Sequence, residues 1–372
     1  MTRPVHVEWV GTYERGYPRT RVLVDGLREL GARVDERHRA VWERTTHKAG
    51  GFLSPLSLAR AGASYAGAWA GLAVSRNPGG RPDAVVAGYP AQPDAAPAWL
   101  VAKRHRALLV ADMMISLTDT LAGDRARVGR AGGAVLAGID RTTLALADIV
   151  LCDTHANARF MAERFGVPAS RLVVAPVGAE PDAFPATPPP FGPPTVLWYG
   201  KLAPMHGLDV IVEAARRPGV PDIRLIGSGQ MDDWLAAEMR RDPPRALQHV
   251  PWVPYERLAG EVAASAVVLG VFGTSDKASR VIPNKVFQAM AAARPVVTAD
   301  TPGIREALVH GESGWLVPAG DPDALAEALV LLAGDPALRE RLGTAARARY
   351  EAMGTPAAVA RPLLDAIVER RR

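Results

Sequence analysis

Lys285 stands two residues after Pro283 and three before Gln288, in the run RVIPNKVFQAMAAARPVVTAD that spans Arg280–Asp300. Pro283 suits the first position of a helix, because it has no N–H to leave unpaired. The backbone N–H groups of Asn284, Lys285 and Val286 then point out of the helix start with the positive end of its dipole. A lysine in that turn opposes the dipole unless an anion sits against both, a conflict between local rule and sequence of the kind binding sites produce. With a further cation upstream, Arg280, Asn284 and Lys285 are candidates to hold a diphosphate. The plainer alternative is a solvated lysine that tolerates the dipole. Gln288, about one turn further in, is placed for a ribose hydroxyl or is simply polar on a solvent face.

A second loop lies in WYGKLAPMHGLDVIVEA, Trp198–Ala214, where Gly200 and Gly207 bracket Lys201 and His206 ahead of a helix that starts near Leu208. Lys201, beside a strand end, is placed to stabilise charge growing on a departing diphosphate. His206 is a candidate for the same group or a turn residue. In IGSGQ, Gly227 lets a ligand approach bare backbone, yet the third glycine and downstream acid of a dinucleotide fingerprint are missing. In VPWVPYERL, Trp252 and Val253 offer an aromatic edge and backbone groups to a nucleobase, with packing of Trp252 on the core as the alternative. Nearer the start, GTYERGYPRTR follows a strand and opens a helix: Gly11 and Gly16 suit closure over phosphate, and Arg15 and Arg19 suit an anion or an acceptor. Tyr89 and Asp112 end strands, where a phenol or a catalytic carboxylate can orient an acceptor hydroxyl, or merely cap a helix. His105, within KRHR, reads as surface charge.

The elements that must position these loops alternate. Short β-branched runs (VHVEWV, AVVAG, ALLVAD, DIVLCD, LVVAPVG) are separated by helical patterns, and the rhythm restarts with TVLWYG, IRLIGSG, QHVPWV, VVLGVFG, PVVTAD and WLVPAG. That order predicts α/β architecture with two doubly wound, Rossmann-like domains facing across a cleft lined by the loops after the strands. The prolines of FPATPPPFGPP exclude a helix or central strand. The expected organisation is therefore a first domain over 1–183, a linker over 184–194, a second domain over 195–345, and a helical segment over 346–372 that is a candidate to pack back on the first domain.

At 372 residues the chain is long enough for two cores. Hydrophobic residues make up 48% and charged residues 22%, no apolar run is long enough to span a bilayer, and the N-terminus enters a strand without an export signal, so a cytoplasmic protein is expected. Its one cysteine, Cys152, excludes an intrachain disulfide and any multi-cysteine metal site, and reads as a buried thiol. A net charge of +5 favours anionic partners, a nucleotide before a nucleic acid, since no nucleic-acid-binding signature accompanies the basic runs. Peripheral contact with an anionic membrane stays open beside a merely solvated basic surface.

With these residues laid out, the second half resembles glycosyltransferase family 4. Over Gln288–Ala299 it is similar to that family's carboxylate-Ala-Met-Ala run followed by proline and two valines, over Ile304–Leu329 to its next block, and PVGAEPDAF resembles the end of its first lobe. The resemblance implies the GT-B fold, an acceptor-side first domain and a donor-nucleotide-binding second domain. It also implies a retaining front-face transfer from a nucleotide-diphosphate sugar, in which Lys201 and Lys285 stabilise the leaving diphosphate with no metal or resident cofactor. The acceptor would be a small-molecule or lipid-linked hydroxyl, in carbohydrate or secondary metabolite biosynthesis. Two departures accompany it. The family's pair of glutamates falls on Arg280 and Gln288, and its arginine and lysine on the donor diphosphate fall on Lys201 and His206. An amide can still hold a ribose, whereas arginine cannot copy a carboxylate. The competing expectations are a catalytically silent nucleotide-sugar-binding or partner-activating protein and a nucleotide-sugar 2-epimerase of the same fold.

Overall fold

The computed structural model describes residues 3–41, 64–72, 79–124 and 129–371. The chain forms two compact units, Met1–Pro176 with Pro356–Arg372, and Val177–Thr355. Each is built on a six-stranded parallel sheet.

In the first unit, β1 (His6–Gly11), β2 (Arg33–His38), β3 (Ala84–Ala87), β4 (Leu108–Asp112), β5 (Ile149–Cys152) and β6 (Leu172–Val174) stand in the order β2-β1-β3-β4-β5-β6. The central strands are buried on both faces, which is why they read as continuous apolar runs. On one face pack α1 (Pro18–Glu29) and the last helix, α13 (Pro356–Arg371), with Val22, Leu23 and Leu27 against Val359, Leu363 and Ile367. Contact is close enough that a Cβ on Gly26 would lie 1.9 Å from the Pro356 carbonyl oxygen. On the other face lie α2 (Ala95–His105), α3 (Arg130–Leu146) and α4 (His155–Phe165). β2 lacks an apolar pattern because it is an edge strand: its Arg33, Asp35, Glu36 and Arg37 are held by ion pairs, including Arg37 with Glu8 at 2.6 Å.

In the second unit, β7 (Val196–Tyr199), β8 (Ile223–Ile226), β9 (Leu247–Val250), β10 (Val267–Leu269), β11 (Val296–Ala299) and β12 (Trp315–Val317) run β12-β11-β10-β7-β8-β9. Its helices are α5 (Leu208–Ala214), α6 (Asp232–Arg241), α7 (Tyr255–Ala264), α8 (Asp276–Arg280), α9 (Asn284–Ala291), α10 (Ile304–Ala307), α11 (Pro322–Gly334) and α12 (Pro336–Met353). The proline-rich segment lies within this unit. Phe184 is buried edge-on to Tyr255, and Arg294 donates to the carbonyls of Thr187 at 3.0 Å and Pro188 at 2.8 Å. At the other end Tyr350 of α12 is buried and donates to the Ala179 carbonyl at 2.9 Å, so the chain leaves this unit only at Thr355.

Strand order reverses between β1 and β3 in the first sheet and between β7 and β10 in the second. Such reversals leave a crevice beyond the carboxyl ends of the flanking strands, because the connections diverge to opposite faces. Arg15 and Tyr89 lie on the loops after β1 and β3, and Lys201, His206, Arg280 and Lys285 follow β7 and β10, whereas Asp112 ends β4, Gly227 follows β8 and Trp252 and Val253 follow β9.

Candidate functional site

In the second unit the basic candidates gather around one indole. Trp198 of β7 is wholly buried, and its ring N–H donates to the Gly270 carbonyl at 3.1 Å, which fixes the ring between the loops after β7 and β10. Lys285 Nζ lies 3.7 Å from the centre of that ring, and the His206 ring meets it edge-on at 5.5 Å. A Cβ placed on Gly200 would stand 3.4 Å from Lys285 Nζ, so the ammonium also abuts the turn that presents the exposed Lys201. Gly207, at φ +66°, lets the His206 turn close against Phe272 and Gly273, where a Cβ would come within 2.6 Å of backbone.

Lys285 is only 4% exposed, and its Nζ donates no hydrogen bond to any described residue. The indole face offers a cation–π contact, which replaces only part of the lost hydration. Burial accordingly holds the amine well below the usual lysine range. The helix start differs from the expected one by a residue: Pro283 is the N-cap and Asn284 the first helical residue. The Val286 N–H donates to the Pro283 carbonyl at 3.0 Å, so the open end of α9 presents the N–H groups of Asn284 and Lys285 rather than three. Arg280, half-buried, ends α8, its backbone packed on Gly303.

Three expectations in this unit are corrected by the packing. At Gly227 the place of the missing side chain is taken by the neighbouring loop and not by a ligand: a Cβ there would lie 1.8 Å from the Gly200 carbonyl oxygen, and the Leu202 N–H donates to Ser228 O at 3.1 Å. Gln288 is not on a solvent face. Its Oε1 accepts from Tyr199 at 2.7 Å, its Nε2 donates to the Tyr255 hydroxyl at 3.3 Å, and Tyr255 donates to Glu180 at 3.3 Å. Burial, with Tyr255 adding to it, raises the Tyr199 phenol well above its ordinary value, so it acts as a donor in this chain. Trp252 is 72% exposed and so is no core residue, and Val253 beside it is half-buried.

In the first unit the loop candidates separate. Arg19 is wholly buried, with Nε and Nη2 2.8–2.9 Å from the Asp112 carboxylate and Nη1 donating to Ala175 O at 2.9 Å. Burial opposes the guanidinium charge, and the adjoining Asp112 more than offsets it, so its pKa stands above the ordinary value. The expected acceptor-side arginine and catalytic carboxylate are thus each other's partners. Arg15 is exposed and 3.3 Å from Glu36. Tyr89 stacks on Tyr17 with ring centres 4.9 Å apart, joining the loops after β1 and β3. Gly11, at φ +146°, clears the Asp94 carboxylate, which would be 2.4 Å from a Cβ, whereas the exposed Gly16 has open space around it. Cys152 is buried, and that burial pushes its thiol up.

Sequence reasoning missed several groups. Asp94 accepts from the Thr12 N–H at 2.7 Å and is pushed up to about 6 by burial. Asp153, beside Arg19 and bonded by Asn157 Nδ2 at 2.8 Å, is likewise raised to about 6 by burial. Glu180, Tyr199 and Tyr255 also went unnoticed. Asp153 could have been found from DTHAN, whose Thr154 caps α4 through the Asn157 N–H. The Glu180–Tyr255–Gln288–Tyr199 chain has no local signal, because its members are far apart in sequence. Among the described residues no group of three or more His, Cys, Asp or Glu is placed to hold a metal, and no helix is long and apolar enough to cross a membrane.

Two Rossmann-like units with these switch-point loops define the GT-B fold, and solved structures of that class share it across the chain. The sucrose-phosphate synthase of Thermosynechococcus elongatus superposes with a TM-score of 0.74 at 17% identity, covering 99% of this chain and 98% of that one. Anabaena Alr3699/HepE in complex with UDP-glucose superposes at 0.68 and 15% identity, over 98% and 99%. Residues 193–335, inside the second unit, match the family described as Glycosyl transferases group 1. Among curated proteins, the phosphatidyl-myo-inositol mannosyltransferase of Mycobacterium leprae is 34% identical over 196 residues, which is 49% of this chain and 50% of that protein. The chain spans about half the length of the curated relatives it matches.

Proposed function

We propose that the chain is a cytoplasmic retaining glycosyltransferase of the family 4 kind, which moves a sugar from a nucleotide-diphosphate donor to an acceptor hydroxyl without metal. The observation that carries the reading is the buried ammonium of Lys285, without a hydrogen-bond partner among the described residues, at the open start of α9 and beside the Gly200–Lys201 turn. A diphosphate there would give that charge its missing partner and accept the free N–H groups of Asn284 and Lys285. Arg280, Lys201 and the His206 ring are the further groups assigned to it. The matched segment 193–335 and a GT-B relative crystallised with UDP-glucose support the same donor class.

In the proposed step the bond from the anomeric carbon to the β-phosphate oxygen breaks as the acceptor oxygen bonds the same face of that carbon. The acceptor proton passes to the departing phosphate oxygen, so no protein base is required. Lys201 and Lys285 stabilise the charge that grows on the diphosphate. Trp252 and Val253 remain the nucleobase candidates, and Gly227 would act there only through its backbone. Gln288 can reach a ribose through the second N–H of its Nε2 or the second lone pair of its Oε1, since Tyr199 and Tyr255 take one of each. On the acceptor side Arg15 and Tyr89 are retained, while Gly11 and Gly16 keep their assignment to phosphate. Arg19 and Asp112 are assigned to holding that wall rather than to touching substrate. The acceptor is a small-molecule or lipid-linked hydroxyl.

The test is a thermal-shift panel of UDP, GDP and ADP sugars, followed by NMR of the product's anomeric carbon with and without EDTA. Stabilisation by one donor and a retained anomer in EDTA is the expected result. Inversion, or turnover that needs a metal, would overturn the mechanism. Binding with no turnover would favour the silent sugar-nucleotide binder, which the tied-up Gln288 amide also supports. Conversion of the donor sugar with no acceptor present would favour the epimerase.

A further inference from the structure

We propose that Glu180, acting through Tyr255, is the positioning residue that decides which way round the Gln288 amide stands, and so which hydrogen-bonding groups it keeps for a donor ribose. All four members of the chain lie in the second unit: Glu180 ahead of the proline-rich segment, Tyr199 at the end of β7, Tyr255 at the start of α7 and Gln288 inside α9. Glu180, Tyr199 and Gln288 are buried, and the Tyr255 ring stands edge-on to buried Phe184. The oxygen and nitrogen of an amide have nearly the same shape, so packing alone does not choose between its two orientations and hydrogen bonding must.

The choice starts at the carboxylate. Tyr255 has one hydroxyl hydrogen, and it goes to Glu180 Oε2 at 3.3 Å. A carboxylate only accepts, so that hydrogen is not available to Gln288, which turns its Nε2 toward the Tyr255 oxygen at 3.3 Å. Its Oε1 is thereby left to Tyr199, whose phenol keeps its proton because burial raises it well above the ordinary value, and which donates at 2.7 Å. Every hydrogen in the chain therefore points toward Glu180, and Gln288 keeps one N–H and one lone pair. The same direction selects an amide at 288. A glutamate there would have no hydrogen for Tyr255, would compete with Glu180 for the one that Tyr255 has, and would bury a second carboxylate in the chain. The inference rests on the glycosyl-transfer reading for the ribose alone, since the direction of the chain stands without it.

Gln288→Glu, Glu180→Gln and the double variant Glu180→Gln/Gln288→Glu would be compared with wild type in the full chain, each from about pH 6 to about pH 8.5, the range in which a crowded buried carboxyl ionises. Two quantities are read: the melting temperature without ligand, and affinity for UDP-, GDP- and ADP-glucose by calorimetry. Glu180→Gln alone should cost no more than about threefold in affinity, because the new amide can still accept from Tyr255. Gln288→Glu should fall behind wild type in both quantities as pH rises, by about tenfold or more in affinity at the alkaline end, because only its protonated form donates to Tyr255 as the amide does. In the double variant the new amide donates to Tyr255 and Tyr255 donates to the new carboxylate, so affinity should return to within about threefold and the pH-dependent deficit should disappear. A deficit that the double variant fails to recover, or Gln288→Glu matching wild type throughout, would overturn the proposal. Recovery of the melting temperature without recovery of affinity would overturn the positioning role and leave Glu180 structural. Should the wild type bind none of the three sugars, the donor reading fails, and the melting series still decides the direction of the chain.

Discussion

Each unit buries a cation beside its switch-point loops, and the two are handled in opposite ways. Arg19 in the first unit is wholly buried, yet Asp112 and the Ala175 carbonyl take its donors. Lys285 in the second is almost as deep and has an indole face and no acceptor among the described residues. Depth alone therefore says little about function. A buried charge supplied with internal partners fixes structure, whereas one left without them carries a desolvation cost that a ligand can relieve.

Removing the internal partner should have the largest effect. Asp112→Ala would leave the Arg19 guanidinium buried and uncompensated, and should cost about 3–5 kcal/mol in chemical denaturation. A near-normal midpoint together with lost turnover would instead return Asp112 to the acceptor. Next comes Lys285→Met, for which the comparison demands two opposite signs. Donor affinity should fall about thirtyfold or more, a loss of about 2 kcal/mol or more. The ligand-free protein should gain roughly 1–3 kcal/mol, since an unpaired polar group is gone. Calorimetry and denaturation measure the two effects, and a destabilised variant with unchanged affinity would make Lys285 a structural residue like Arg19.

The pH dependence sharpens the contrast by a smaller amount, because arginine does not titrate in this range and lysine can. Burial lowers the Lys285 pKa in the free protein, and a diphosphate beside it would raise it again. Between those two values binding takes up a proton, so affinity should fall as pH rises, by at most tenfold per pH unit. Ligand-free stability should move the other way, rising with pH, because the unfolded chain binds the proton that the folded chain rejects. The Lys285 contribution to both slopes should vanish in Lys285→Met. The smallest effect is expected at Trp252→Ala. Its side chain stands in solvent, so stability should change by no more than about 0.5 kcal/mol. Nucleotide affinity should fall by about 1–3 kcal/mol if the ring stacks on the base, and an unchanged dissociation constant would remove it from the site.

The central strands of both sheets were legible because parallel strands buried on both faces read as near-continuous apolar runs, as VLWY and IVLC do. β2 was not, because RVDERH is an edge strand held by ion pairs with residues elsewhere in the chain. Pro283 marked the helix start to within one residue. The proline-rich segment was legible as irregular chain, but its attachment to the second unit depends on Arg294 and Tyr255.

Residue types and their local spacing determined the rhythm of elements, the loops at the strand ends and the pairing of lysine with a helix start. Those follow from steric and hydrogen-bonding rules that act over a few residues. Which polar groups are already spent was decided only by tertiary structure: Arg19 on Asp112, Gln288 on two tyrosines, Gly227 on Gly200, and Lys285 left over. Whether a donor is satisfied depends on acceptors brought near by folding from tens of residues away, and one-dimensional spacing carries no record of that distance.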